Sequence, residues 1–286
     1  MIDATAIIMT KNEEKNIVQC LESMKGFAKR CVVIDCGSTD RTVELAKANG
    51  ADIFYHEFEY YAKQFNWGID NTDINTEWII RLDADERFPE NLKDEIEKCI
   101  IKNFGTDMNG ITISADLYFM GKCLKYGAKN KCKMMLFKKA NGRIEDRRRD
   151  AHSILNSGYS EEMKNKFLHY DFKNLDTFIK RYNWYATREM QDYIEYKNGK
   201  KEDNIADKDI QQTKNLKFNV YYRFPKFLRA ILLFIYVYVF KLGFLDGVSG
   251  LMFIFFDTLW YRFLVDAKIL EYEQTGGPFE KLSACE

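Results

Sequence analysis

The densest chemistry in the sequence is Asp83-Ala84-Asp85, two carboxylates directly behind the apolar run Trp78-Ile79-Ile80-Arg81-Leu82. Alternate residues at a strand end can point to the same side. Carboxylates held that way suit a hard divalent cation, Mg²⁺ or Mn²⁺, completed by phosphate oxygens and water. Such a cation would neutralise charge on a leaving diphosphate. Asp-x-Asp is common in solvated loops, so its weight comes from the buried strand before it. Asp35 ends a second apolar run and could accept hydrogen bonds from a nucleobase or ribose. Asp40 starts the next helix, where N-capping is its simplest role. Thr10 and Asn12 follow the first apolar run, and either capping or lining a base pocket fits them. Neither Gly-x-Gly-x-x-Gly nor Gly-x-x-x-x-Gly-Lys-Ser/Thr occurs, which argues against a dinucleotide fingerprint and a P-loop.

These residues need elements to hold them. Ala4–Met9, Cys31–Cys36, Asp52–Tyr55 and Trp78–Leu82 read as strands. Helices are expected over Glu14–Met24 (Ile17, Val18, Leu21 and Met24 on one face), Asp40–Asn49 closed by Gly50, Ala62–Asp70, and Glu90–Lys102 behind Pro89. Strand–helix alternation predicts an α/β fold around a parallel sheet covered on both faces. Ligands of such sheets bind beyond the carboxyl ends of the strands, where these polar clusters lie.

Further on, eleven Lys and Arg face three acids between Lys122 and Asp150. Such a stretch is either a solvated loop or an attractor for a phosphorylated substrate or an anionic membrane. A long helix is expected over Leu175–Tyr196, with Trp184 and Tyr185 in its core face, and then a polar segment, Lys197–Lys217. Ala230–Phe240 is apolar on every face, yet eleven residues reach only about 16 Å against a bilayer core of roughly 30 Å. A second apolar run, Leu251–Trp260, follows Gly243, Asp246, Gly247 and Gly250. Two short apolar helices with basic and aromatic flanks suit an in-plane or re-entrant membrane anchor. The alternative is a helical hairpin packed on the rest of the chain or on a second copy. The expected division is 1–172 catalytic, 173–222 connecting and 223–286 membrane-associating or dimerising.

The 286 residues carry 43 basic and 43 acidic side chains, which disfavours a nucleic-acid binder. Seven cysteines without a Cys-x-x-Cys pair read as reduced core thiols of a cytosolic protein. Three histidines make a zinc site unexpected. Met1-Ile2-Asp3 does not resemble a signal-peptide start.

The motifs Ile7-Ile8-Met9-Thr10-Lys11-Asn12-Glu13-Glu14, Val33-Ile34-Asp35-Cys36-Gly37-Ser38-Thr39-Asp40 and Leu82-Asp83-Ala84-Asp85-Glu86, in this order and spacing, resemble family 2 glycosyltransferases of the GT-A fold. Phe167-Leu168-His169-Tyr170-Asp171, Gly243-Phe244-Leu245-Asp246-Gly247 and Phe256 to Lys268 resemble a bacterial subgroup that builds lipopolysaccharide core, capsule and exopolysaccharide. The resemblance implies a Rossmann-like nucleotide-sugar domain with a C-terminal helical, membrane-associating extension. It implies hexosyl transfer from a nucleotide-sugar donor, expected to be UDP-linked, to a lipid-linked glycan at the cytoplasmic face of the membrane.

It also implies positions. Thr10, Asn12, Glu13 and Asp35 would line the nucleotide pocket, and Lys63 and Gln64 would lie near the donor. Asp83 would sit near the ribose or the metal, and Asp85 would be the main metal ligand. Cys36 stands where family members often have a second Asp. An inverting transfer needs a general base for the acceptor hydroxyl. The family places it about 65 residues past Asp85, commonly in Asp-Glu-His; here the triplet is Asp150-Ala151-His152. Either Asp150 serves as base or this copy is impaired, with position 151 the base position; Glu145 and Asp146 are lesser candidates. His169 and Tyr170 suit a buried corner or an acceptor site equally. Two rivals remain at this stage. A nucleotidyltransferase making nucleotide-sugars would carry a Gly-rich loop after the first strand, unlike Thr10-Lys11-Asn12-Glu13. A non-catalytic, membrane-bound nucleotide-binding partner would accommodate Ala151.

Overall fold

The computed structural model describes residues 1–127, 132–146, 151–198 and 220–276. The chain divides into two compact units. The first holds residues 1–118 and the described part of 129–171; the second holds 119–127 and the described part of 172–276.

The first unit is built on a mixed sheet. Its leading strands are β1 (Ile2–Thr10), β2 (Ala28–Asp35), β3 (Asp52–Tyr55) and β4 (Trp78–Asp83), all parallel, in the order β3-β2-β1-β4. β1 is buried along almost its whole length, as a central parallel strand covered on both faces must be. Register aligns the functional ends: Thr10 pairs with Asp35, and Met9 with Asp83. Thr10, Asp35 and Asp83 therefore reach one carboxyl edge together.

The intervening helices are α1 (Ile17–Met24), α2 (Thr42–Ala48), α3 (Tyr61–Asn71) and α4 (Glu90–Lys102). α4 has its expected bounds, and Gly50, with φ +82°, lies just past α2 in the left-handed conformation expected of it. Both α1 and α2 start later than their sequences suggest, for one shared reason. The Glu13 and Glu14 amides are taken by Thr42 Oγ1 and the Asp40 carboxylate. Asp40 also accepts the Thr42 amide and hydroxyl. Its carboxylate thus ties two loops together, and Arg41 occupies the N-cap position of α2. On α1 the fully buried face takes Cys20, while Val18 is half-buried.

Beyond α4 the sheet turns antiparallel. β5 (Glu86–Arg87) follows β4 after a two-residue turn, and β6 (Met108–Phe119) and β7 (Lys122–Leu124) come next. β8 (Cys132–Lys138) runs antiparallel between β4 and β6. β9 (Gly142–Ile144) and β10 (Ser153–Leu155) form a separate hairpin. β11 (Tyr159–Glu162) and β12 (Phe167–His169) run parallel to β6, and β12 pairs antiparallel with β5.

The second unit is helical apart from β7. α5 (Leu175–Lys197) is capped by Asn174 Oδ1, which accepts the Thr177 amide at 2.8 Å. Trp184 is half-buried and Tyr185 is 40% exposed, so neither belongs to the buried core expected for them. Beyond the undescribed stretch 199–219, α6 (Leu228–Ile235) winds into a π-helical turn, Tyr236–Phe240. α7 (Gly247–Ile254) continues through a π-helical segment, Phe255–Trp260, into α8 (Tyr261–Thr275). The second apolar run therefore lies inside a 33-residue helix, Gly243–Thr275, and is not a short helix of its own. By length and composition that helix could cross a membrane. Gly243 is fixed by close approach, because a Cβ there would lie 2.1 Å from Ile254 Cδ1. Buried Asp246 accepts the Lys125 and Tyr126 amides, and its carbonyl accepts from Lys122 Nζ at 2.6 Å.

α8 packs on α5 through Ala186, Met190, Ile194, Val265 and Ile269. Two buried ion pairs lie in this unit. Arg229 grips Asp266 with side chains 2% and 1% exposed. Glu189 takes Arg262 and the Tyr222 and Tyr261 hydroxyls.

Candidate active site

Everything described in this subsection lies in the first unit. At the ends of β1 and β2 two loops are laced together. The Asp35 carboxylate accepts from Thr10 Oγ1 at 3.2 Å, from the Gly37 and Ser38 amides at 2.8 and 2.9 Å, and from the Ser38 hydroxyl. All four of its acceptor positions are thereby used to shape the loop. Asn12 takes φ +55°, which an Asn tolerates better than most side chains. Its amide donates to Ser38 Oγ, and its side-chain oxygen accepts the Thr39 amide. Glu13 accepts from Asn16 Nδ2 at 2.9 Å. Thr10, Asn12, Glu13 and Asp35 are thus brought together as one wall. Cys36 follows in that wall, half-buried, with its amide donating to the Thr10 carbonyl. Lys63 and Gln64 do not join it in the same way. Lys63 pairs with Glu59 at an exposed position. Gln64 is 1% exposed, and both ends of its amide are held by His56.

The Asp-x-Asp motif is split by the turn that carries it. Ala84 and Asp85 form the turn between β4 and β5, so the two-residue alternation of a strand stops at Asp83. Asp83 and Asp85 consequently have different neighbours. The Asp83 carboxylate accepts from Lys133 Nζ at 3.1 Å and from the Tyr61 hydroxyl at 3.2 Å. Asp85 turns to β12, where its Oδ2 lies 3.6 Å from His169 Nε2. The grouped ligand atoms belong to Asp85, His169 and Asp171, all within 4.8 Å of one another.

β5 and β12 bring this group together. His169 pairs with Glu86, and the Tyr170 amide donates to the Asp85 carbonyl at 2.8 Å. Arg87 lies over the Tyr170 ring at 3.9 Å, and Tyr118 stacks on its other neighbourhood at 4.4 Å. Sequence reasoning had His169 only as a corner or acceptor residue and did not single out Asp171. The readable signal was a His-x-Asp pair behind a short strand.

Beneath the motif lies a buried charge network. Lys133 Nζ sits 2.6 Å from Glu86 Oε1, and Glu86 Oε2 accepts the Asp83 amide at 3.0 Å. Arg81 donates to the Tyr61 hydroxyl at 2.7 Å and to Ser153 Oγ at 3.2 Å. Burial favours a protonated Asp83, but Lys133 and Arg81 outweigh it and hold the carboxyl down at about 2. Burial acts on Asp85 too, and the His169 hydrogen bond brings it below the ordinary value. Glu86 moves the other way, raised by burial despite Lys133. Among the described residues, four carboxylates (Asp83, Asp85, Glu86, Asp171) lie near two permanent cations, Lys133 and Arg81. A divalent cation on two carboxylates and an imidazole would balance that charge, and the hard–borderline donor set suits Mn²⁺ or Mg²⁺.

Lys133 is one of the eleven basic residues that looked like an attractive stretch. The others described in this unit are also engaged singly. Lys138 pairs with Glu77, Lys139 donates to the Ile74 carbonyl, and Arg143 pairs with Asp70. Arg147 to Arg149 and Asp150 lie outside the described residues. Ala151 and His152 lead into β10, and the His152 carbonyl accepts the Glu145 amide at 2.8 Å. Ala151 packs against the apolar cluster of Ile7, Phe65 and Phe137. Asp146 accepts from the Tyr60 hydroxyl at 2.6 Å.

Residues 5–145 match the sequence model of Glycosyl transferase family 2. That segment is similar to family 2 glycosyltransferase domains. Its parallel strands with polar motifs at their carboxyl edge are the GT-A arrangement, carried here with a C-terminal helical extension. The chain is 26% identical over 210 residues to an uncharacterized glycosyltransferase of Rickettsia typhi, covering 70% of each chain. It is 31% identical over 96 residues to the SPbeta prophage-derived glycosyltransferase SunS of Bacillus subtilis, covering 33% of this chain and 22% of that one. Among solved structures it resembles glucosyl-3-phosphoglycerate synthase from Mycobacterium tuberculosis in complex with Mn²⁺, UDP and glucosyl-3-phosphoglycerate. The identity is 16% and the TM-score 0.33, over 40% of this chain and 44% of that one. The chain therefore spans less than half the length of that enzyme.

Proposed function

We propose that this protein is an inverting, cation-dependent glycosyltransferase that moves a hexose from a nucleotide-sugar, a UDP-sugar by its motifs, to a lipid-linked glycan in cell-surface polysaccharide synthesis. The observation that carries the reading is the Asp85–His169–Asp171 group at the carboxyl edge of a family 2 domain, beside the Thr10–Asp35 wall. A bound Mn²⁺ or Mg²⁺ would stabilise the diphosphate as it leaves. Asp85, His169 and Asp171 would hold that ion. The Asn12–Ser38–Thr39 lacing presents the base-side wall in one shape, and Lys133 adds fixed positive charge beneath the motif. The base for the acceptor hydroxyl belongs to the 145–152 segment: either Asp150 takes the proton, or position 151 is the base position and Ala151 leaves this copy impaired. Calorimetry with UDP and Mn²⁺ tests the reading: cation-dependent binding supports it, and binding that ignores the cation refutes it. A hydrolysis screen of UDP- and GDP-sugars then names the donor. The nucleotidyltransferase alternative lacks support, because no Gly-rich loop follows β1.

The second unit supports a lipid surface as the acceptor's location. Leu228, Ile231, Leu232, Ile235, Val239 and Phe240 are each more than 40% exposed and recur every three or four residues, as one helical stripe does. Phe244, Leu245, Val248, Leu251 and Phe255 repeat the pattern on the following helix. Between Leu228 and Phe256 the only acid is Asp246, which is buried, while Arg223 and Lys241 are exposed at the flanks. An apolar face with basic edges and no exposed acid suits an anionic bilayer. α6 packs along Phe255–Trp260, and Leu228–Phe240 is 13 residues long. At 1.5 Å per residue that segment reaches about 20 Å, short of a bilayer core, so it enters the surface without crossing on its own. Co-sedimentation with phosphatidylglycerol vesicles tests this; equal binding to none and to anionic vesicles refutes it.

A further inference from the structure

We propose that the Gly243–Thr275 helix lies in the plane of one leaflet of an anionic bilayer and does not cross it, although its length alone would allow a crossing. This orientation rests on the lipid-surface reading above and names how that surface is met. Every residue concerned belongs to the second unit.

One side of the helix is tied to polar protein from its first turn to its last half. At the start, Asp246 is 2% exposed; its carboxylate accepts the Lys125 and Tyr126 amides at 3.1 and 2.8 Å, and its carbonyl accepts from Lys122 Nζ. Further along, the Phe253 ring meets Phe119 at 5.4 Å and the Phe256 ring meets Phe178 of α5 at 5.9 Å. Asp257 accepts from the Tyr182 hydroxyl at 3.1 Å, and Arg262 pairs with Glu189. Val265 and Ile269 then close on Ala186, Met190 and Ile194. Asp246, Phe253, Asp257, Val265 and Ile269 recur at helical spacing, so these ties follow one face.

The partners on that face do not belong in hydrocarbon. Lys122 and Lys125 are exposed, and the exposed positions of α5 include Asp176, Lys180, Asn183 and Glu195. A crossing helix would draw the elements bound along it into the bilayer, where charged side chains are expensive. The opposite face is bare and apolar: Phe244, Val248, Leu251 and Phe255 are exposed, Val248 to 77%. Lying flat satisfies both faces at once. The bare stripe enters the acyl boundary while α5 stays in water, the arrangement of an interfacial helix. Lys122, Lys125 and Lys241, exposed around the start of the helix, then stand where lipid phosphates lie.

The test uses the full-length protein with an epitope tag at each terminus, recovered in sealed bacterial inner-membrane vesicles of both orientations and treated with external protease. An in-plane helix leaves both tags on one side, so each preparation should lose both or keep both. Tags on opposite sides show a crossing and overturn the proposal. A second arm reads binding to phosphatidylglycerol vesicles. Val248→Glu, on the bare stripe, should lower the affinity by about 10-fold or more with the circular dichroism of the parent retained. Asn183→Glu, on the exposed side of α5, should bind as the parent does. Equal losses in the two variants overturn the proposal, as does undiminished binding by folded Val248→Glu. A stable lipid-free dimer that Val248→Glu dissociates would seat a second copy on the stripe and overturns it too. A parent protein that associates with no membrane at all removes the lipid-surface reading itself, a distinguishable failure.

Discussion

His169 Nε2 stands 3.6 Å from Asp85 Oδ2, although 83 residues separate them in the chain. The contact exists because β12 pairs antiparallel with the two-residue β5, which opens immediately after Asp85. A strand of two residues contributes little on its own, so here the pairing serves chiefly to set an imidazole against a carboxylate. From that relationship a first prediction follows. Asp85→Asn and His169→Gln should each abolish cation-dependent UDP binding, and turnover should fall by about 10²–10³-fold, as when a group stabilising a leaving anion is lost. Chelation of the parent protein should reproduce the loss, and added Mn²⁺ should restore the parent but not the variants.

The Arg229–Asp266 pair gives a prediction about stability. Asp266 also accepts the Phe227 amide at 2.7 Å, and Phe227 holds φ +66°, a conformation that bulky side chains avoid. Removing the acid leaves a buried guanidinium and an unsupported turn. Asp266→Ala should cost about 3–5 kcal/mol, the usual range for breaking a buried pair from one side. The double change Arg229→Met with Asp266→Leu should recover much of it, because replacing both charges avoids the uncompensated one. Denaturant unfolding of the two variants checks the ordering.

The exposed stripe predicts a change in partition without a change in fold. Ile231→Ser with Ile235→Ser removes apolar surface that faces outward, so thermal stability should hold within about 0.5 kcal/mol per site. Binding to anionic vesicles should weaken. Raising salt should weaken it further, through screening of Arg223 and Lys241. Vesicle flotation of parent and variant at two salt concentrations measures both effects.

The strand–helix alternation was readable because β1, β2 and β4 are buried on both faces and spell continuous apolar runs. Asp85 was readable for the same reason, as the acid behind such a run. His169 and Asp171 were harder, because their meaning depends on a pairing across some eighty residues that no local pattern announces. Lys133 was hidden in plain view: a basic residue inside a basic stretch reads as solvated, and only the β8 register carries it inward. Gln64 errs in the opposite direction, since a polar residue near a presumed ligand looked available while His56 holds both ends of it. The continuity from Gly243 to Thr275 was missed because Arg262 and Asp266 interrupt the apolar composition, and their partners Glu189 and Arg229 come from other helices.

Ala151 carries the prediction with the largest expected effect. The residue follows the undescribed Asp150 and leads into β10, where Ser153 Oγ receives Arg81, itself bonded to Tyr61. The position is therefore joined, through three side chains, to the network under Asp83. It packs against the apolar cluster that includes Ile7, Phe65 and Phe137, a surrounding that would raise the pKa of a carboxylate placed there. A base that is harder to ionise in the free enzyme is also a stronger one once ionised, which suits deprotonation of a sugar hydroxyl. Ala151→Glu should raise turnover by about 10²–10⁴-fold, the usual contribution of a positioned general base. Its rate should climb with pH through a value above the ordinary glutamate range, whereas Ala151→Gln, of the same shape, should stay at the parent's rate. If Asp150 already serves as base, Asp150→Asn will silence the parent protein and Ala151→Glu will add nothing. Measuring the pH–rate profiles of these variants side by side assigns the proton to one position or the other.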